Sequence, residues 1–133
     1  MPEFLDWKSE YSVGDEHIDT QHQHLFHLAN KVLRMKASAA STAELKPLLV
    51  GLCEYIQFHF DDEQNLMESV GYPDLEEHRK RHQAIIHAMN TMMRSSKGIQ
   101  PLLDRLAEIM EVWTLKHIVI EDAQVGKHLR RSR

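Results

Sequence analysis

The sequence predicts an all-α fold, an up-down-up-down antiparallel four-helix bundle that follows an N-terminal arm. Apolar residues recur every three or four positions in four long segments, Pro and Gly fall between these segments, and no segment alternates with the period of a β-strand. Long amphipathic segments joined by short connections are typical of such bundles. The length of 133 residues suits one domain over 1–133, with the arm at 1–18, the bundle at 19–129 and a basic tail at 130–133.

The first helix is predicted from about Asp19, a candidate N-cap, to Lys36. Its inward positions are His22, Leu25, Ala29 and Val32. The arm before it carries apolar side chains that we expect to pack across the outside of the bundle, namely Phe4, Leu5, Trp7 and Tyr11.

The second helix is predicted to begin near Ser41, which has capping-box spacing to Glu44. Pro47 either lies near its first turn or kinks a longer helix. The sequence "VGYPD" ends this helix. One stripe contains Leu45, Leu48, Leu52, Ile56, His59, Glu63, Leu66 and Val70.

The third helix follows Asp74, a candidate N-cap, and the fourth runs from about Pro101, which a first turn tolerates, to about Gly126. The inward stripe of the third helix contains Leu75, His78, His82, Ile85, Met89 and Met92. The inward stripe of the fourth contains Leu102, Leu106, Ile109, Trp113, His117 and Ile120.

Composition argues against several classes of protein. The net charge of -4 gives no reason to expect a nucleic-acid partner, and no apolar run is long enough for membrane insertion. The N-terminus lacks the pattern of a secretory signal, and the single Cys53 excludes an internal disulfide. Together these features lead us to expect a cytoplasmic protein.

Ionisable residues replace apolar ones in the inward stripes of all four helices. The spacing alone is weak evidence, because ten histidines placed at random would give about as many i,i+4 pairs. Burying several such groups without partners would cost several kcal/mol each, and a bound metal removes that cost. The stripe positions therefore predict a metal site built from His22, His59, Glu63, His78, His82 and His117.

Imidazole-rich coordination without thiolates suits iron, zinc, copper or nickel and argues against magnesium and calcium. The ligands outnumber the four of a structural zinc site, which indicates two metals that share carboxylates. A ferritin-like di-iron site requires Glu-x-x-His twice, and no histidine here has Glu three residues before it. The ferritin-like family is therefore excluded.

With these residues in place, the chain resembles the hemerythrin family, specifically the single-domain bacteriohemerythrins. The resemblance covers nearly the whole chain through "W…YSVGDEHID", "DTQHQHLF", "HFDDEQNLM", "HRKRH" and "WTLKHIVIED". It implies a non-haem di-iron cofactor with an oxo or hydroxo bridge. It places His78, His82 and His117 on one iron. It places His22 and His59 on the other, which keeps an open position for O2, bound as a hydroperoxide.

The resemblance also implies that Glu63 and Asp122 bridge the two irons. Spacing alone favours Glu121, four residues after His117, because i+5 lies about 140° around an ideal helix from its partner. A π-bulge would bring i+5 into line. We therefore choose Asp122 and predict a departure from regular α-geometry between Trp113 and Asp122.

The function implied by the resemblance is reversible O2 binding for storage or delivery, by a carrier and not by an enzyme. The partners expected are O2 and an O2-consuming protein, and we expect a monomer. Alternatives are O2 or redox sensing, a di-iron enzyme acting on peroxide or nitric oxide, and a structural zinc bundle. Candidates for the wall of an O2 pocket, which ordinary core packing explains equally well, are Leu25, Phe26, Trp113 and Ile118.

Overall fold

A computed structural model describes residues 6–38, 42–95, 98–114 and 116–131 of the chain, and its regular elements are helical. The elements are a 3₁₀ turn at Ser9–Tyr11, α1 (Glu16–Ser38), α2 (Thr42–Ser69), α3 (Leu75–Ser95), α4 (Ile99–Glu108), π-helical segments at Ile109–Thr114 and His117–Asp122, and α5 (Ala123–Arg131). The bundle has four long helical stretches, which we call its four arms to distinguish them from the N-terminal arm. They are α1, α2, α3 and the stretch from α4 to α5, which is the fourth arm. Helix α1 packs on α2 and α4, and α3 packs on α2 and α4. The predicted four-helix bundle is confirmed.

Helix α1 begins three residues earlier than predicted, because Asp15 and not Asp19 caps it. The backbone N–H of Ile18 donates to Oδ1 of Asp15 at 3.0 Å. Asp19 lies inside the helix and instead holds the N-terminal arm through hydrogen bonds. Its carboxylate accepts hydrogen bonds from Oγ of Ser12 at 2.5 Å and from the backbone of Val13 at 2.8 Å. The prediction of Asp19 as N-cap is therefore wrong.

The turn between α2 and α3 ends α2 as predicted. Gly71 adopts a left-handed conformation with φ of 65°. Its N–H donates to the carbonyl of Glu68, and the N–H of Tyr72 donates to the carbonyl of Met67 at 2.9 Å. These two bonds satisfy the last carbonyls of α2 in a Schellman motif. Helix α3 then begins directly after Asp74.

Two apolar clusters divide the interior along the bundle axis. The larger cluster lies toward the connection between α1 and α2 and includes Leu52, Ile85 and Leu106. The smaller one lies at the opposite end and contains Met67, Tyr72, Val125 and Leu129. On α2, α3 and the fourth arm, the buried polar residues fall in the chain between members of these two clusters. A polar layer is thus enclosed by apolar packing on both sides.

The predicted inward stripes are buried or half-buried wherever their side chains are described, with one exception. Ile120 is 52% exposed, because the π-helical segment from His117 to Asp122 turns the register, so that Ile118 and Asp122 are buried instead. The fourth arm also continues to Arg131, past the predicted end near Gly126 and into the predicted tail.

Several sequence predictions fall partly outside the described residues. Trp7 and Tyr11 pack against the larger apolar cluster, as expected for the arm. The remaining positions without a structural description are Phe4 and Leu5 of the arm, Ser41 of the capping box, the side chains of Glu44 and Trp113, and residues 132–133 of the tail.

Candidate metal centre

Seven ionisable side chains from all four arms of the bundle meet in the polar layer. Each is at most 1% exposed to solvent. The predicted ligands of the sequence analysis are all present in this set, which consists of His22, His59, Glu63, His78, His82, His117 and Asp122.

Regular helical spacing places the members from α2 and α3. His59 and Glu63 are four residues apart on α2, as are His78 and His82 on α3, so each pair lies on one helix face. On the fourth arm, regular α-helical spacing cannot place both residues on one face, because His117 and Asp122 are five residues apart. The π-helical segment from His117 to Asp122 widens the turn and buries both side chains. The predicted departure from α-geometry is confirmed.

Glu63 lies at the middle of the cluster and directs one carboxylate oxygen to each side. Its Oε1 is 2.9 Å from Nε2 of His78 and 3.1 Å from Nε2 of His82. Its Oε2 is 3.1 Å from Nε2 of His22 and 3.4 Å from Nε2 of His59. The carboxylate therefore separates the five imidazoles into two groups.

Asp122 repeats this division from the opposite helix. Its Oδ1 is 2.8 Å from Nε2 of His78 and 3.2 Å from Nε2 of His117, while its Oδ2 is 3.0 Å from Nε2 of His22. We call His78, His82 and His117 the three-histidine half, and His22 and His59 the two-histidine half. Both carboxylates contribute an oxygen to each half.

Glu121, the carboxylate that helical spacing alone favoured, points away from this cluster. Its Oε1 lies 2.9 Å from Nδ1 of His117, the ring nitrogen that faces away from the carboxylates, and its Oε2 lies 2.5 Å from Nε of Arg81. Asp122 occupies the position beside Glu63 that the spacing argument would have given to Glu121.

Opposite charges within the cluster shift one another's pKa values. Burial alone lowers the histidine pKa values, but the contacts with Asp122 and Glu63 outweigh it and raise the pKa of His22 and of His78 to about 9. The pKa of His117 rises to about 10 against the same opposing effect of burial, with Asp122 and then Glu121 as the main causes. Burial would raise the pKa of Glu63, yet hydrogen bonds from the surrounding histidines hold it well below its usual value. Burial and the charge of Glu63 oppose the same change in Asp122, but His117, His22 and His78 lower its pKa as well, so both carboxylates are anionic at neutral pH.

Three polar side chains that the sequence analysis did not assign to the site face the outer nitrogens of its histidines. Gln21 places Oε1 2.6 Å from Nδ1 of His59, Gln64 places its amide 2.8 Å from Nδ1 of His82, and Glu121 contacts His117. Such partners fix the orientation of a metal-binding imidazole. The signal in the sequence was slight, since each is a polar residue next to a predicted ligand.

The donor set fits a pair of metal ions. Nε2 of His59 and both carboxylate oxygens of Asp122 are buried without hydrogen bonds of acceptable geometry among the described residues. Native proteins rarely leave such atoms unpaired, and a metal takes up their lone pairs. Five imidazoles and two carboxylates without thiolate suit iron. In each half, counted with the two carboxylates, every residue offers one ligand atom and these atoms lie within 4.8 Å of one another.

Apolar and aromatic side chains lie next to the polar layer. Three of the four pocket candidates, Leu25, Phe26 and Ile118, are buried in the larger apolar cluster, so their place in an O2 pocket stays a prediction. Phe60, which the sequence analysis overlooked, stacks on the ring of His82 with centroids 3.8 Å apart and planes within 2°. Its contact stiffens the three-histidine half.

The remaining histidines lie away from the seven cluster residues. Nε2 of His17 contacts Oδ2 of Asp62 at 2.9 Å, and that oxygen also accepts a hydrogen bond from Gln21 at 2.8 Å. His17 thus supports the partner of His59 from the surface. Four of these histidines are exposed and His128 is half-buried, and the group is His17, His24, His27, His87 and His128.

Comparisons with known proteins agree with this geometry. The sequence model of the family described as "Hemerythrin HHE cation binding domain" matches residues 13–129. The chain belongs to the hemerythrin family. It is 29% identical to the bacteriohemerythrin of Clostridium acetobutylicum over 127 residues, which cover 89% of this chain and 95% of that protein. It is 30% identical to a bacteriohemerythrin of Campylobacter jejuni over 118 residues, covering 88% of this chain and 89% of that protein.

A solved crystal structure of a leucine-to-phenylalanine mutant shares the fold, with a TM-score of 0.78, 21% identity, and coverage of 96% of this chain and 98% of that one. Hemerythrins are a di-iron family of O2-binding and sensing proteins, generally not enzymes, and the buried cluster is suited to the same cofactor. In the described part of the chain, no helix has the length and apolar character needed to cross a bilayer.

Proposed function

We propose that this chain binds O2 reversibly for storage or delivery at a di-iron centre. The observation that carries the proposal is the division of five buried imidazoles into groups of three and two around two shared carboxylates. The half with two histidines has one protein donor fewer. A metal held there has room for an exogenous ligand, as in metal sites that keep an open coordination position.

Each residue has a specific role in this proposal. The three-histidine half holds one iron through His78, His82 and His117. The two-histidine half holds the other through His22 and His59. A bound iron pair would supply two electrons and an open position, and the carboxylates of Glu63 and Asp122 would contribute to holding both irons.

The surroundings favour binding without further chemistry. Leu25, Phe26 and Ile118 are each at most 5% exposed, and we propose that these three side chains line the O2 pocket. An apolar wall keeps water and stray protons from bound O2, which slows its loss as superoxide or peroxide. Neutral imidazoles also supply less negative charge than a carboxylate-rich di-iron site. The high-valent iron that O–O cleavage requires, above the ferric state, is therefore less stabilised.

A gas-exchange experiment tests the function. The iron-loaded protein is reduced without oxygen, exposed to O2, and returned to vacuum while its visible spectrum is recorded. We expect a charge-transfer band that appears with O2 and disappears reversibly over several cycles, with two irons per chain. The zinc-loaded protein is the control and should stay colourless. Irreversible bleaching on the first exposure, or iron-loaded protein without any O2-dependent band, would refute the proposal.

A further inference from the structure

The outer hydrogen-bond partners of the ligand histidines differ in charge between the two halves. In the two-histidine half, the outer nitrogen of His59 faces the neutral amide of Gln21. Nδ1 of His22 has no hydrogen-bond partner within the described ranges. In the three-histidine half, His117 faces the carboxylate of Glu121. On the two-histidine side the nearest carboxylate, that of Asp62, lies one residue farther out, behind the amide of Gln21. A carboxylate therefore contacts the outer nitrogen of His117 directly, whereas a neutral amide stands between Asp62 and His59.

Each oxygen of the Glu121 carboxylate has its own partner. Oε1 lies 2.9 Å from Nδ1 of His117, and Oε2 lies 2.5 Å from Nε of Arg81. The side chain of His117 is 1% exposed and that of Glu121 is 21% exposed, so water screens their contact weakly. Arg81 lies farther out, at 42% exposure, and neutralises part of the carboxylate charge from the solvent side.

A carboxylate that accepts a hydrogen bond from the outer N–H of an imidazole draws that proton toward itself. The opposite ring nitrogen then becomes a stronger electron donor to a metal. A stronger donor stabilises the oxidised metal more than the reduced one. Gln21 accepts a similar hydrogen bond but adds no charge, so it orients His59 without comparable electron donation.

We propose that Glu121 is a positioning residue that sets the reduction potential of the iron centre through His117, and that Arg81 moderates its effect. The inference rests on the proposed di-iron site. It gives the two sides of the centre different tasks. The three-histidine half stabilises the oxidised state, while the two-histidine half keeps the weaker donors beside the open position.

Glu121→Gln is the first test variant, because the amide preserves the size of the side chain and an oxygen that can accept from His117. Arg81 is partly exposed and can turn toward solvent. We expect two irons per chain and a higher midpoint potential in a mediated redox titration. Partners of this kind typically change metal affinity or activity by about 10- to 100-fold. A tenfold change in the preference for the oxidised state corresponds to about 59 mV for a one-electron couple.

Arg81→Gln is the second test variant and should shift the potential in the opposite direction. Loss of the arginine leaves the full charge of Glu121 on the hydrogen bond to His117, so the midpoint potential should fall. Glu108→Gln is the matched control, since Glu108 is exposed on α4 and pairs with Arg105. It removes the same charge as Glu121→Gln without touching the centre, and it should leave the potential near that of the unmodified protein.

Opposite shifts in the two variants, each larger than the shift in Glu108→Gln, would support the inference. Full iron content with potentials indistinguishable from the control would overturn it and leave the di-iron site intact. If Glu121→Gln fails to retain iron, the sign of the Arg81→Gln shift decides, and an unchanged or raised potential overturns the inference. An unmodified protein that cannot hold two irons would instead refute the proposed function.

Discussion

The two halves of the metal centre share both carboxylates but differ in the number and the support of their histidines. The three-histidine half has Phe60 stacked on His82 and a carboxylate behind His117. The two-histidine half has a neutral amide behind His59 and no partner on Nδ1 of His22 among the described residues. With the shared carboxylates, one half has five protein donors and the other has four. In the function that we propose, this asymmetry lets one buried cluster both retain metal and leave a position for a ligand.

The largest expected effect comes from the residue that the halves share. Glu63→Gln should remove iron from both halves, because one neutral amide replaces oxygens that face four imidazoles. Metal analysis after reconstitution should find almost no iron. Glu54→Gln, at an exposed position on the same helix, should retain two irons per chain. Retention of one iron in Glu63→Gln would show that the halves are more independent than we infer.

Within the three-histidine half, His82→Ala should lose iron and lower the melting temperature of the reconstituted protein. His82 is 1% exposed and contacts Glu63, His117 and Phe60. The matched variant His87→Ala removes an exposed imidazole one turn farther along α3 and should change neither property. Equal iron loss in the two variants would contradict the distinction between cluster and surface histidines.

The metal-free protein should lose stability as the pH rises from 7 to 10. The folded-state pKa is raised to about 9 for His22 and His78 and to about 10 for His117, above the usual 6.5. Their contribution is fully present below pH 6.5 and is lost as the pH rises through these values. Iron-loaded protein should lack this loss, because its bound nitrogens carry no proton. The free energy of unfolding of both forms is measured in urea across this pH range. An equal loss of stability with pH in the two forms would contradict the account.

A smaller effect should separate the wall of the O2 pocket from ordinary core. Ile118→Ala and Ile109→Ala both remove a buried isoleucine from the fourth arm, and each should cost about 2–5 kcal/mol of unfolding free energy. Only Ile118 adjoins His117, so only its variant should admit water and speed loss of the O2-bound spectrum several-fold. Equal rates in the two variants would remove Ile118 from the pocket.

Much of this structure could be predicted because regular helices convert spacing into position. The stripes of α1, α2 and α3 place His22, His59 and His82 inward by periodicity alone. Spacing failed on the fourth arm, where Ile120 is exposed and Asp122 is buried. A π-helical turn has no clear signature in one sequence, and the choice of Asp122 depended on family resemblance.

The outer partners could not be predicted for a different reason. Gln21 lies on α1 and contacts His59 on α2, so their contact depends on how two helices pack. The spacing of Glu121 from His117 is visible in the sequence, but spacing alone does not distinguish a ligand from a partner of a ligand. The role that we propose for Glu121 depends on the direction of the His117 ring, which places Nδ1 on the outer side.

Anomalous diffraction at the iron edge, from crystals of the reconstituted protein, tests the central claim most directly. We predict two iron peaks, about 3.5–4 Å apart as in other two-metal sites. One should lie against His78, His82 and His117, and the other against His22 and His59, with Glu63 and Asp122 contacting both. A single peak, or iron bound outside these seven side chains, would contradict the account.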